Sequence, residues 1–222
     1  MAITFGNQQT LLSVLLGDSN TDTSDAFPLA TRKLFLNLGE LQFCKDTKAM
    51  WAKATGTISG TQLAFPADLL EPIALIVNNR DLWSSNQTSI TENERYYSSA
   101  SSTPSVYTTQ ESGTRYFNFY GASTGQGYTL HYVRKPTTDL SDDADLSIID
   151  EQFRPASVYW AASELLQQAG KNAISDKYAA KYNGYVRDGE KFAEQLKLTL
   201  SFAQPDVNMV DSGERDVAGG GY

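Results

Sequence analysis

The chain contains one cysteine, Cys44, and one histidine, His131, among 222 residues. A single cysteine excludes an internal disulfide and a thiolate metal cluster, and such sparing use fits a reducing compartment. A single histidine excludes the clustered His and Cys ligands of a zinc site. Long hydrophobic runs are also missing. The segment "IALIV" at 73–77 is far below the roughly 20 residues that a helix needs to cross a bilayer. The opening "MAITFGNQQTLLSVLLGD" has no basic stretch, and Gln8 and Gln9 interrupt its apolar part; the expectation is a cytoplasmic product without a signal peptide or membrane partner. "NQT" at 86–88 then reads as a chance match to the glycosylation pattern. Basic residues are outnumbered, with 18 Lys and Arg against 26 Asp and Glu and a formal net charge of -8. That balance argues against a protein that grips nucleic acid by neutralising phosphates.

What is present has an order: helical, then alternating, then helical again. Leu11, Leu12, Val14, Leu15 and Leu16 form a short apolar helix stopped by Gly17. From about Ser24 to Asp46, the stripe Phe27, Ala30, Leu34, Leu38 and Leu41, with Phe35 and Phe43 beside it, predicts a second helix, weakened by Gly39. From Lys48 to Pro136 the period approaches two, and "MWAKATGTISG", "TQLAFP", "EPIALIVNNRDLW", "SVYTTQ", "TRYFNFYG" and "YTLHYVRKP" read as strands. Asn78 and Asn79 mark a hairpin turn because asparagine tolerates positive φ. A short helix is expected from Ser89. Beyond Phe153 the helical period returns with Trp160, Leu165 and Leu166. A last helix from about Ile174 carries Tyr178, Tyr182, Tyr185, Gly189, Phe192, Leu196 and Leu200 as a packing seam, with Gly189 permitting close approach. The fold class is therefore α+β: a bundle of about four helices, an inserted antiparallel β subdomain, and an extended C-terminal tail. The expected division is 1–47 and 137–201 for the bundle, 48–136 for the insertion and 202–222 for the tail.

Candidate chemistry is sparse. Asp139, Asp142, Asp143 and Asp145 supply oxygen ligands in number, but the spacing and glycine of a calcium loop are missing. A β-to-helix junction is the better reading, with Pro136 ending a strand and the aspartates favouring the N-terminal end of the helix that follows. His131 has no G-x-S-x-G elbow to serve, and Cys44 falls in a helical stripe as a small hydrophobe. "GASTGQGY" at 121–128 lacks the lysine of a phosphate loop and reads as a hairpin connection. In "RYFNFYG", Tyr116 and Tyr120 share one face and Phe117 and Phe119 the other; core packing is preferred to a stacking platform because no basic residues surround them. No catalytic, cofactor or metal residue is assigned.

The order of segments adds a resemblance. "LLGDSNTDTSDA", "ATRKLFLNLGELQFC", "FPADLLEPIALIVNNRDL", "LHYVRKPTTDLSD", "EQFRPASVYWAASELL" and "SDKYAAKYNGYVRDGEKFAEQL" together resemble the head-to-tail adaptor proteins of tailed bacteriophages, over Leu11 to Leu200. The resemblance implies a structural protein and not an enzyme, made in the host cytoplasm and carried in the virion. It implies portal and tail proteins as partners and a self-assembled ring, commonly a dodecamer, with DNA passing through the lumen unbound by sequence. In the tail, Val207, Met209, Val210, Val217 and Tyr222 are spaced like anchors in a polar strand and are the expected contacts with the portal or a neighbouring subunit. A β-rich ligand-binding module is the alternative, and a hydrolase using His131 or the acidic loop a more remote one.

Overall fold

A computed structural model of the chain describes residues 3–17, 26–84, 106–110, 116–120 and 124–203. Four α-helices occur in this part: α1 (Phe5–Leu16), α2 (Leu29–Thr47), α3 (Pro155–Gln168) and α4 (Asn172–Ala203). Eight strands lie between α2 and α3: β1 (Trp51–Thr57), β2 (Gln62–Ala64), β3 (Leu69–Val77), β4 (Arg80–Asp81), β5 (Trp83–Ser84), β6 (Val106–Gln110), β7 (Tyr116–Tyr120) and β8 (Gly127–Arg134). The α+β class follows.

Helix α1 begins where Thr4 Oγ1 accepts the Asn7 N–H at 3.4 Å, and it ends at Gly17, whose φ of 73° suits glycine. Helix α2 starts later than its polar lead suggests, at Leu29, with Pro28 at the cap and no side-chain cap bond. Its facing is the main correction to the sequence reading. Leu34 and Leu38 of the predicted stripe are exposed, and Ala30 lies out with them. The buried side is instead Arg32, Leu36, Gly39, Glu40, Phe43, Cys44 and Thr47. Gly39 explains the choice. A Cβ there would lie 2.7 Å from the Ser157 carbonyl oxygen of α3, so the helices approach backbone to backbone along a line that large side chains would block.

Helix α3 is the centre of the bundle: α1, α2 and α4 all pack on it. Its small Ala156, Ala161 and Ala162 are fully buried alongside Val158 and Leu165. From Tyr178 to Leu196 the seam of α4 lies on the packed side as expected, and the Leu200 side chain lies outside what is described. Tyr182 is buried, Tyr178, Tyr185 and Phe192 are half-buried, and the stacked pairs Tyr159–Tyr178 and Tyr159–Tyr185 join α3 to α4. Gly189 admits α2 closely, since a Cβ would meet Thr47 Cγ2 at 2.7 Å.

The strands form two four-stranded sheets, ordered β1-β8-β3-β4 and β2-β7-β6-β5, antiparallel except for the β5–β6 pair. Asn78 and Asn79 make the β3–β4 turn with φ of 52° and 62°, as their side chains permit. The segment after β7 is not a hairpin: β7 pairs with β2 and β6, whereas β8 pairs with β1 and β3. The chain crosses between sheets there, with Gly125 N–H donating to the Ile58 carbonyl at 2.8 Å. Leu75, Val77, Phe117, Phe119 and Leu130 fill the core between the sheets. The expected helix from Ser89 lies outside the described residues.

The four glycines of the described helices give a direct stability test. Gly39→Ala is expected to destabilise by about 1–3 kcal/mol, because it over-packs the α2–α3 contact. Gly184→Ala, where an added Cβ meets nothing within 4 Å, is expected to stabilise by about 0.5–1 kcal/mol through helix propensity. Urea unfolding midpoints of the two variants check both signs.

Candidate functional site

The acidic segment of 137–150 is a strap that closes the bundle against the β region. Asn37 on α2 holds it at both polar ends of the amide, accepting from the Leu140 N–H at 2.9 Å and donating to the Leu140 carbonyl at 3.1 Å. Lys33 Nζ donates to the Ser141 carbonyl at 2.7 Å. Asp145 Oδ2 accepts the N–H groups of Ser141 and Asp142 at 2.8 and 2.9 Å. Those backbone donors, the Asp142 N–H foremost, hold the Asp145 carboxyl below its ordinary range.

The strap is a junction, as the sequence implied, but it serves a different helix. The carbonyls of Asp145 and Asp143 accept the Phe5 and Gly6 N–H groups at 2.9 and 3.0 Å, and Gln9 Nε2 donates to Asp143 Oδ1 at 3.1 Å. These satisfy the open N-terminal donors of α1. Helix α3 has no acid in its first turn and starts on Pro155, whose missing N–H costs nothing there. Gly6 is required at this join, because a Cβ would lie 2.9 Å from Asp143 Cβ.

Behind the strap lies a buried polar cluster that apolar periodicity does not reveal. Gln8 Nε2 donates to the Arg154 carbonyl and to Ser157 Oγ, each at 3.2 Å. Arg154 donates to the carbonyls of Ile3 (2.7 Å), Ile149 (3.0 Å) and Ser147 (3.4 Å). Arg32 is fully buried and donates to Ser13 Oγ at 2.8 Å. Glu40, at 2% exposure, belongs to the same cluster. Burial pushes its carboxyl up to about 7, against hydrogen bonds from Ser147 and Gln8 and the charge of Arg154, which lower it. Glu40 Oε1 and Gln8 Oε1 are both buried without a donor, so a neutral acid, which adds one donor, suits the cluster better than a carboxylate.

The residues singled out for chemistry are dispersed. His131 sits on β8 opposite Lys53 and Ala74. Cys44 is buried in the helical bundle, its thiol pushed up to about 12 by burial, so it is a protonated packing residue. Phe117 and Phe119 point into the sheet core. A shallow depression of about 290 Å³ near the β3–β4 turn is lined by Ile76, Asn78, Asn79, Tyr128 and neighbouring threonines and glycines, with no carboxylate, basic side chain or thiol. Among the described residues, no three His, Cys, Asp or Glu side chains are grouped to hold a metal ion. No helix among them is long and apolar enough to cross a membrane. Val207, Met209, Val210, Val217 and Tyr222 lie outside the described residues.

What the strap, cluster and packing together describe is a scaffold, in which the polar groups join segments. Comparison with known families places that scaffold. The family model described as SU10 adaptor protein matches residues 4–199, covering the bundle and the β region alike. The chain belongs to the SU10 adaptor protein family. It is thus a phage adaptor protein, as the segment order implied. No curated protein matches the chain.

Two measurements follow for this adaptor. Glu40 has a folded value of about 7 against an ordinary 4.5, so the folded state holds more protons between those values and stability falls as pH rises through them. The loss is on the order of 3 kcal/mol, complete above about pH 7. Glu40→Gln is expected to flatten the dependence of the unfolding midpoint between pH 5 and 8, on a scale set by that shift. Addition of a chelator is expected to leave the melting temperature unchanged; a fall of several degrees would mean that the aspartate strap binds a stabilising ion.

Proposed function

We propose that this adaptor is a structural part of the virion that forms a ring between portal and tail, through which DNA passes without sequence-specific binding. The observation that carries the proposal is the family match across residues 4–199, which spans every described element up to the last turns of α4. The net charge of -8 supports passage without retention, because phosphate repels an acidic lumen wall. Subunits joined through two different faces close into a ring when the rotation between them closes. The bundle segments 1–47 and 137–201 act as the rigid part, and the 48–136 insertion offers strand edges and loops to ring or tail neighbours. No catalysis is involved in this role.

The tail, 202–222, whose first two residues end α4, is the proposed connector. Val207, Met209, Val210, Val217 and Tyr222 are apolar residues in a polar, Gly-rich stretch, the pattern of a segment that gains its anchors on a partner. Portal or a neighbouring subunit is that partner. Negative-stain images of the adaptor mixed with its portal are expected to show rings seated on the portal. Truncation after Ala203 keeps all of α4 and is expected to preserve the unfolding midpoint while weakening portal binding at least tenfold. Unchanged portal affinity of the truncated chain would remove the tail from this role and leave the ring reading intact.

A further inference from the structure

A strand at the edge of a sheet presents backbone donors and acceptors that nothing pairs, and proteins commonly keep such edges short. Three of the four outer strands here follow that rule: β4 and β5 have two residues each and β2 has three. The fourth, β1, has seven. Among the described residues it pairs with β8 alone, and Lys53, Thr55, Gly56 and Thr57 are exposed along it.

The pairing with β8 fixes which backbone groups of β1 remain open. The Arg134 N–H donates to the Met50 carbonyl at 2.7 Å, and at the other end the Ile58 N–H donates to the Gln126 carbonyl at 2.9 Å. The register between them runs without a shift, from Trp51 opposite Val133 to Thr57 opposite Gly127. Antiparallel ladders alternate, so the even-numbered residues of β1 aim their N–H and C=O groups at β8, and Trp51, Lys53, Thr55 and Thr57 aim theirs away from the sheet. Side chains alternate too. Ala52 and Ala54 lie half-buried against the sheet core, with Lys53 and Thr55 on the opposite face.

We propose that residues 206–210 in the tail of one copy add a strand to the open edge of β1 in the next copy. This rests on the ring reading and names the surface that receives the tail. The sequence of that segment matches both faces of the edge in one parity. Val207 and Met209 would lie beside Ala52 and Ala54 and extend the apolar face, while Asp206 and Asn208 would lie beside Lys53 and Thr55. Pro205 stands just ahead of the added strand, where its missing N–H breaks no ladder bond.

Charge favours the tail as the occupant. Lys53 is the one charged residue of β1, and it stands opposite His131 on β8. Glu71, on β3 beyond β8, is paired with Lys48. The tail carries Asp206, Asp211, Glu214 and Asp216 against Arg215, so an acidic strand meets a basic edge. A second copy's β1 would instead bring two lysine-bearing edges together, and that contact, being the same patch on both sides, would stop at a dimer. A tail given to a different surface repeats from copy to copy.

Proline substitution separates the open edge from the paired one. Thr55→Pro removes an N–H that points away from β8, so it leaves the β1–β8 ladder whole and blocks an added strand. It is expected to keep the melting temperature and to lower the assembled fraction about tenfold or more, with portal present where assembly needs it. In a direct assay, the chain truncated after Ala203 is expected to bind a labelled peptide of residues 204–222, and the truncated Thr55→Pro chain to bind it about tenfold more weakly or less. Lys53→Glu, an exposed charge reversal that leaves the backbone unchanged, is expected to weaken the same binding and serves if the proline variant melts early. Undiminished rings from Thr55→Pro, or peptide binding that neither variant changes, would overturn the proposal while the ring reading stood. A truncated chain that takes no peptide would overturn it likewise. Full-length chains that form no rings with portal, beside a truncated chain that binds the peptide, would put the tail on its own edge and sink both the exchange and the ring.

Discussion

The guanidinium of Arg154 is the tie on which the helical half depends. It reaches the Ile3 carbonyl ahead of α1 and the Ser147 and Ile149 carbonyls of the strap, while its own carbonyl receives Gln8 from inside α1. A planar fork with several fixed donors is suited to hold carbonyls from separate segments at once. Strap, chain start and central helix are thereby held at one point, at the end of the bundle where the β region attaches. The polar residues around it, Gln8, Ser147 and Ser157, are buried because this junction is built from backbone carbonyls that must find donors.

Much of the fold was legible because its signals are local. Gly17 ends a helix, Asn78 and Asn79 make a turn, and Pro136 leads from strand to strap. The aromatic repeat of α4 marks its packed side. Facing was legible only where size and burial go together. On α2 they part: the backbone approach to α3 is made at Gly39, with Arg32, Glu40 and Cys44 buried on the same side. A rule that turns leucines inward therefore misplaced Leu34 and Leu38. The crossing after β7 was hidden for another reason, since strand partners are set by distant residues and a glycine-rich link looks alike in a hairpin and a crossover.

The candidate site was legible as a junction but not in its partner. The aspartates of the strap read as a strand-to-helix junction, yet the helix they serve is α1, more than a hundred residues earlier in the chain. Nothing in a single sequence records such a long-range pairing. Glu40 was hidden for the opposite reason: a glutamate in a helix reads as solvent-facing until the neighbours that bury it are placed.

The two ends of the β region lie side by side. The Arg134 N–H donates to the Met50 carbonyl at 2.7 Å, at the foot of the paired strands β1 and β8. To the bundle, everything between those residues is a closed loop whose ends already touch, so its length enters the folding entropy only weakly. A module attached in this way can lengthen, shorten or be exchanged while the helices keep their packing. That freedom leaves the packing of the helical frame independent of what the module carries.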